Sequence, residues 1–273
     1  MKEIIRKYPI WSYLIINYVI SWSFLYPSYQ LIIANDGITP LALIGFIGAY
    51  GPSIAAIIVQ GILDSTKLRV LFKKLIQFGS QWKLLGFVIV APVVMYVIAH
   101  LASAVVHSSD FSINWILGFS NFPFWCLVAL PFGPMGEELG WRGFLLPKLL
   151  EKFSILKSTV FVGLAWGLWH LASFTFPGAA IPSFLPVNIG SVSLYFANTV
   201  ALSLVFTYVH LKSKGSVFLA IVLHAFFNAS SNIVLDFFGE TEEFNVLFTG
   251  YFLNLVLAGV IGYLLIRRVQ TTK

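Results

Sequence analysis

Long stretches of this chain, such as 84–99 and 253–266, are apolar on every side and show neither the two-residue alternation of a half-buried strand nor a polar helix face. A helix crossing roughly 30 Å of hydrocarbon needs about 20 such residues. Cutting the chain at its charge and turn clusters predicts eight helices, near 9–33, 40–63, 84–106, 113–147, 158–176, 188–211, 215–237 and 244–266. A transmembrane β-barrel would need ~10-residue strands alternating apolar and polar residues, and these runs do not alternate. The fourth segment differs from the rest because Pro123, Pro131, Gly133, Pro134 and Gly136 interrupt it. It is expected to enter as a broken or surface-lying piece and continue as a helix through 137–146.

Composition agrees with a membrane-spanning chain. Of 273 residues, 58% are hydrophobic and 10% charged, against roughly 25% charged in a soluble domain. The net charge of +6 reads as topology rather than nucleic-acid binding, because Lys and Arg fall in every second connection. They gather at Lys2, Arg6 and Lys7, then Lys67 to Lys83, Lys148 to Lys157, Lys212 and Lys214, and Arg267 to Lys273. The intervening connections carry Asp36, Asp110, an uncharged stretch from Pro177 to Asn188, and Glu240, Glu242 and Glu243. The expected architecture is an all-α polytopic membrane protein in one domain, 1–273, with both termini cytoplasmic and a motif-bearing core at about 113–237 in spans four to seven. The basic start is followed by an apolar segment longer than a signal peptide's core, so it reads as a retained first span. The lone Cys126 excludes an intramolecular disulfide and reads as a buried, inert thiol.

Against this background the ionisable residues inside spans stand out, since each costs about 2.5–3.5 kcal/mol to insert. Glu137, Glu138 and Arg142 lie in Gly-Glu-Glu-Leu-Gly-Trp-Arg-Gly at 136–143. In a helix, Glu138 and Arg142 are i, i+4 neighbours able to pair, while Glu137 points about 100° away without that partner. A buried glutamate lacking a cation can accept and return a proton, as a general base must. His170 ends Trp-Gly-Leu-Trp-His at 166–170, and His224 stands four residues before Asn228 on one helix face. At 1.5 Å per residue, Glu137, His170 and His224 lie ~15–20 Å above the nearest cytoplasmic lysines, Lys148, Lys157 and Lys214, which is one layer near the membrane middle. Alone, the Glu–Arg pair reads equally well as an assembly device, and a lone intramembrane histidine as a packed core residue. Matched depth on three helices favours a functional site. His100, His107 and His210 lie towards span ends, where histidine is easily hydrated. Asn17, Asn198 and Asn254 are expected to bond between helices, Gly45, Gly48 and Gly51 to permit close packing, and most of the aromatics to face lipid and the interfaces.

A glutamate and a histidine can orient and deprotonate a water, while a second histidine and an asparagine can donate hydrogen bonds to the oxyanion formed at an amide carbon. The same residues, Glu137, His170 and His224, could instead hold Zn²⁺ that activates the water. Both versions remain open at this level. No His-Glu-x-x-His, no Gly-x-Ser-Gly and no mid-membrane aspartate pair is present, Asp236 lying near an outer end. Two readings from other classes use the same polar set: a transporter with a proton relay, and a non-catalytic immunity or scaffold protein. No second Glu-Glu-x-x-x-Arg unit in the other half supports the transporter.

The order Glu137-Glu138-x-x-x-Arg142, an aromatic four residues before His170, and His224-x-x-x-Asn228 resembles the CPBP (CAAX protease and bacteriocin-processing, or Abi) family, related to the Ras-converting prenyl-protein protease. The resemblance implies an intramembrane endopeptidase. It assigns water activation to Glu137 and His170, the oxyanion site to His224 and Asn228, and support to Glu138 and Arg142. The family's second motif often begins with Phe, and Trp166 in its place is expected to alter pocket shape more than chemistry. No cofactor is the preferred expectation, with Zn²⁺ secondary. The implied partners are the lipid bilayer and a membrane-associated peptide or protein. A nearly all-membrane chain suggests a bacterial plasma-membrane member acting on a pheromone or bacteriocin precursor or an anchored protein.

Overall fold

Caps, prolines and turn residues divide the apolar chain into helices at places close to those its charge clusters predict. The computed structural model describes residues 1–79, 81–108, 115–176, 178–238 and 244–271. Asp110, Pro177, Glu240, Glu242, Glu243 and Lys273 lie outside the described residues, as does the side chain of Asp236. Helices α1 (Lys2–Lys7) and α2 (Pro9–Ala34) are followed by α3 (Gly45–Ala49), α4 (Gly51–Asp64), α5 (Leu68–Lys73) and α6 (Trp82–Val106). The second half contains α7 (Trp115–Phe132), α8 (Pro134–Glu138), α9 (Leu146–Leu150), α10 (Ile155–Trp169), α11 (Ile189–Lys212), α12 (Val217–Phe238) and α13 (Phe244–Thr271). No strand occurs among the described residues. The Ser154 hydroxyl caps α10 by accepting from Lys157 N–H. Asn188 and Ser191 form a reciprocal capping box on α11, satisfying N–H groups that lipid would leave bare.

The protein is an all-α, multi-pass membrane protein. Helices α6, α11 and α13, and α10 with the 3₁₀ turn that extends it to Thr175, are each long and apolar enough to cross a bilayer. A pair bent by 51° between Ala49 and Gly51 adds a fifth candidate. Exposed apolar side chains recur at i, i+4 spacing on the outside: Trp11, Ile15 and Val19 on α2, Val90, Val94 and Ile98 on α6, and Phe248, Phe252, Val256 and Val260 on α13. Water would penalise such stripes, whereas hydrocarbon solvates them.

Inside, small residues let backbones meet. A Cβ on Gly140 would lie 2.5 Å from the Pro52 carbonyl on α4, and one on Gly163 of α10 would lie 2.6 Å from Val200 Cα on α11. Gly45, Gly48 and Gly51 press against Ser28, Leu25 and Ser21 of α2, the close approach expected of them. The Asn17 amide, by contrast, bonds within its own helix, where Oδ1 accepts from Ser21.

The fourth segment is broken as expected, at Gly133, but its continuation is not a plain α-helix through 137–146. After α8 the chain widens into a π-helical stretch, Leu139–Leu145, before α9 resumes. This stretch holds some of the largest fully buried side chains, among them Trp141, Arg142 and Leu145. The Lys74 ammonium donates to the Gly143 carbonyl at 3.0 Å, supplying a partner where the altered ladder exposes backbone. His210 also departs from expectation. It is 8% exposed rather than hydrated at a span end.

Candidate active site

Position 137 sits where α8 leaves Gly133, with Glu137 only 3% exposed. Its Oε2 accepts from the Trp166 indole N–H at 2.7 Å and from the Trp141 indole N–H at 3.2 Å. Glu137 thus has no bonded cation among the described residues but has two neutral donors. Both donors fall on one oxygen, which fixes the carboxylate plane. The other oxygen, Oε1, faces Gly133, where a Cβ would lie 3.0 Å from it and 3.8 Å from Asn228 Nδ2. Glycine at 133 therefore keeps the space beside both groups open.

Glu138 points elsewhere, as the spacing predicts. Its Oε1 receives Arg142 Nη1 at 2.8 Å and lies 2.8 Å from His224 Nδ1. Glu138, Arg142 and His224 are all buried. The Arg142 guanidinium lies 4.0 Å from the Phe206 ring centre and 4.6 Å from that of Trp166, so aromatic faces and one carboxylate replace its water.

His170 opens the 3₁₀ turn that follows α10. Its Nδ1 lies 2.9 Å from the Trp166 carbonyl. A carbonyl only accepts, so Nδ1 carries the proton and Nε2 is left as the acceptor. Helix α2 supports this end of α10: Tyr18 donates to the Ala165 carbonyl at 3.0 Å and Trp22 to the Trp169 carbonyl at 2.9 Å. The Trp169 indole in turn donates to Ser21 at 2.6 Å. His224 is brought into place by a tight turn after α11 in which Gly215 adopts φ +88°, a left-handed backbone that glycine takes without strain.

Glu137, His170, His224 and Asn228 line one cavity of about 620 Å³. Trp166 touches each motif. Its N–H holds Glu137 and its carbonyl holds His170, while its ring packs edge-on to His224 with centres 5.3 Å apart and stacks beneath Arg142. Beyond the expected change of pocket shape, tryptophan here also supplies a hydrogen bond to Glu137 that phenylalanine would not. Trp141, Trp166 and Trp169 are among the aromatics outside the mostly lipid-facing majority expected, because all three are buried around the site.

The sequence reading missed the remainder of the wall. Tyr96 and His100 of α6, Tyr195 and Asn198 of α11, and Tyr251 of α13 also line the cavity. Tyr and Asn within apolar helices were the available signal. Among the described residues no group of three His, Cys, Asp or Glu is close enough to hold a metal ion. Glu137, His170 and His224 line the same cavity without forming such a group.

Comparison with known proteins follows the same motifs. Residues 119–230 match the family described as type II CAAX prenyl endopeptidase Rce1-like. A CAAX prenyl protease 2 of Methanococcus maripaludis is 29% identical over 145 residues, covering 51% of this chain and 48% of that protein. The match thus spans about half the length of the relative. The resemblance carried by the three motifs is borne out: residues 119–230, which contain all three, are similar to the CAAX protease, or CPBP, family.

Proposed function

We propose that the protein is an intramembrane endopeptidase that hydrolyses a peptide bond of a membrane-associated or lipidated peptide or protein. The observation that carries this reading is that Glu137, His170, His224 and Asn228, from three separated segments, line one cavity in a membrane protein. Glu137 is the base. With Oε2 held by two indoles, Oε1 takes a proton from a water that His170 Nε2 helps to orient. The resulting hydroxide attacks the amide carbon, and the oxyanion is held by the Asn228 amide and by His224 as the imidazolium, which donates to Glu138 through Nδ1 and to the oxyanion through Nε2. Collapse breaks the C–N bond, the departing amine takes the proton back from Glu137, and the products are a carboxylic acid and an amine. Glu138 orients His224 and neutralises Arg142 without touching the substrate. No step requires a metal.

In the same reading the chain crosses the bilayer eight times, the broken fourth segment counting as one crossing, with both termini on the cytoplasmic, lysine-rich side. The membrane is the bacterial plasma membrane. The test is incubation of purified, detergent-solubilised protein with prenylated and plain membrane-associated peptides, with and without a metal chelator, and identification of products by mass. Cleavage that survives the chelator is expected. Loss with chelator would overturn the metal-free step, and cleavage of no peptide would favour the transporter or scaffold alternatives.

A further inference from the structure

Away from the central cavity, a second cavity of about 580 Å³ opens between α6 and α11, lined by Gln81, Trp82, Lys83, Leu84, Phe87, Tyr208 and Lys212. Lys83 and Lys212 come from the first turn of one membrane-crossing helix and the last residue of another. Two charges on antiparallel neighbours thus meet at one end of the bundle. The lining contains no carboxylate, and neither lysine makes an ion pair among the described residues. Unneutralised cations at a site that holds both are complementary to an anion.

Beneath the two ammonium groups the wall turns apolar. Phe87 and Tyr208 meet edge-to-face across the two helices, with ring centres 5.6 Å apart, and Leu84 continues that surface. Trp82, 69% exposed, stands at the mouth, the position an indole takes between headgroup and hydrocarbon. Gln81 ties the two helix ends together by donating to the Ser213 carbonyl at 3.3 Å. A free inorganic anion would use the cations and leave the aromatic floor unused. A phospholipid uses both, its phosphate on the lysines and its acyl chains along the floor.

We propose that this groove is a binding site for an anionic phospholipid, with Lys83 and Lys212 holding the headgroup. Basic residues near an anionic membrane surface each contribute enough that losing two weakens association roughly thirtyfold. The site is independent of the peptidase chemistry. It borders the turn that leads from α11 into α12, the helix that carries His224, so an occupying lipid would brace that side of the bundle.

Native mass spectrometry of the full chain, released from detergent supplemented with either phosphatidylglycerol or phosphatidylcholine, tests the site. The unaltered protein is expected to retain phosphatidylglycerol in preference to phosphatidylcholine. The double variant Lys83→Gln, Lys212→Gln should bind it roughly thirtyfold more weakly. A control with Lys2→Gln and Lys7→Gln should bind as the parent does. Lys212→Glu gives an independent reading, because inverted charge must expel the lipid more strongly than neutral glutamine does. Equal retention by the parent and the double variant, or equal retention of the two lipids by the parent, would overturn the proposal. So would displacement of phosphatidylglycerol by millimolar inorganic phosphate, which would mark a free-anion site.

Discussion

Two adjacent glutamates differ in what surrounds them, and the difference separates chemistry from support. Glu138 meets Arg142 and His224 on one oxygen in a buried setting, so Glu138→Ala should strand a guanidinium and cost about 3–5 kcal/mol. A large fall in the melting temperature in detergent would show it. Glu137 is held by neutral indoles, and Glu137→Gln should leave that melting temperature nearly unchanged. Trp166 allows a finer test because phenylalanine preserves most of its ring and its backbone carbonyl while deleting one N–H. A hydrogen bond to a charged group contributes about 1.5–3 kcal/mol. Trp166→Phe should therefore lower kcat by roughly tenfold or more with KM little changed. An unaltered kcat would show that the Trp141 indole alone orients the carboxylate. Gly133→Ala should also impair turnover, since its methyl would stand against Glu137 Oε1.

Among the elements, the π-helical stretch 139–145 and α4 have to lie backbone against backbone. Gly140→Ala would press a methyl onto the Pro52 carbonyl, and separating the two elements should cost about 1–3 kcal/mol, read as a lower melting temperature of the purified variant. An unchanged value would mean that α4 shifts freely. Helix positions were legible in the sequence because charge clusters and prolines mark where an apolar run must stop. The break at Gly133 and the Glu138–Arg142 pair were legible for similar local reasons. The π-helix was not legible, because one additional residue in a helical turn leaves the apolar pattern almost unaltered. Nor was the Trp141–Glu137–Trp166 arrangement, which depends on α10 meeting α8 across 29 residues of chain. The cavity wall from α6, α11 and α13 was hidden for the same reason: a tyrosine in an apolar helix reads alike whether it faces lipid or a cavity.

At the scale of the whole molecule, apolar stripes on the outside and a polar cavity inside describe a protein that holds water-requiring residues away from lipid. Helix α2 lies outside the matched segment 119–230, yet Tyr18, Ser21 and Trp22 bond to the helix end that carries His170. The first part of the chain thus completes the site that the matched part contains. The proposed topology predicts that reporters fused to the N- and C-terminus both report the cytoplasmic side; opposite sides would require an odd number of crossings. The central claim is that Glu137 performs the chemistry, and it is tested most directly by comparing peptide cleavage by the purified protein and its Glu137→Gln variant at matched folded concentration. The account predicts that the variant, though folded, loses cleavage by several orders of magnitude. Cleavage at the parent's rate would contradict it.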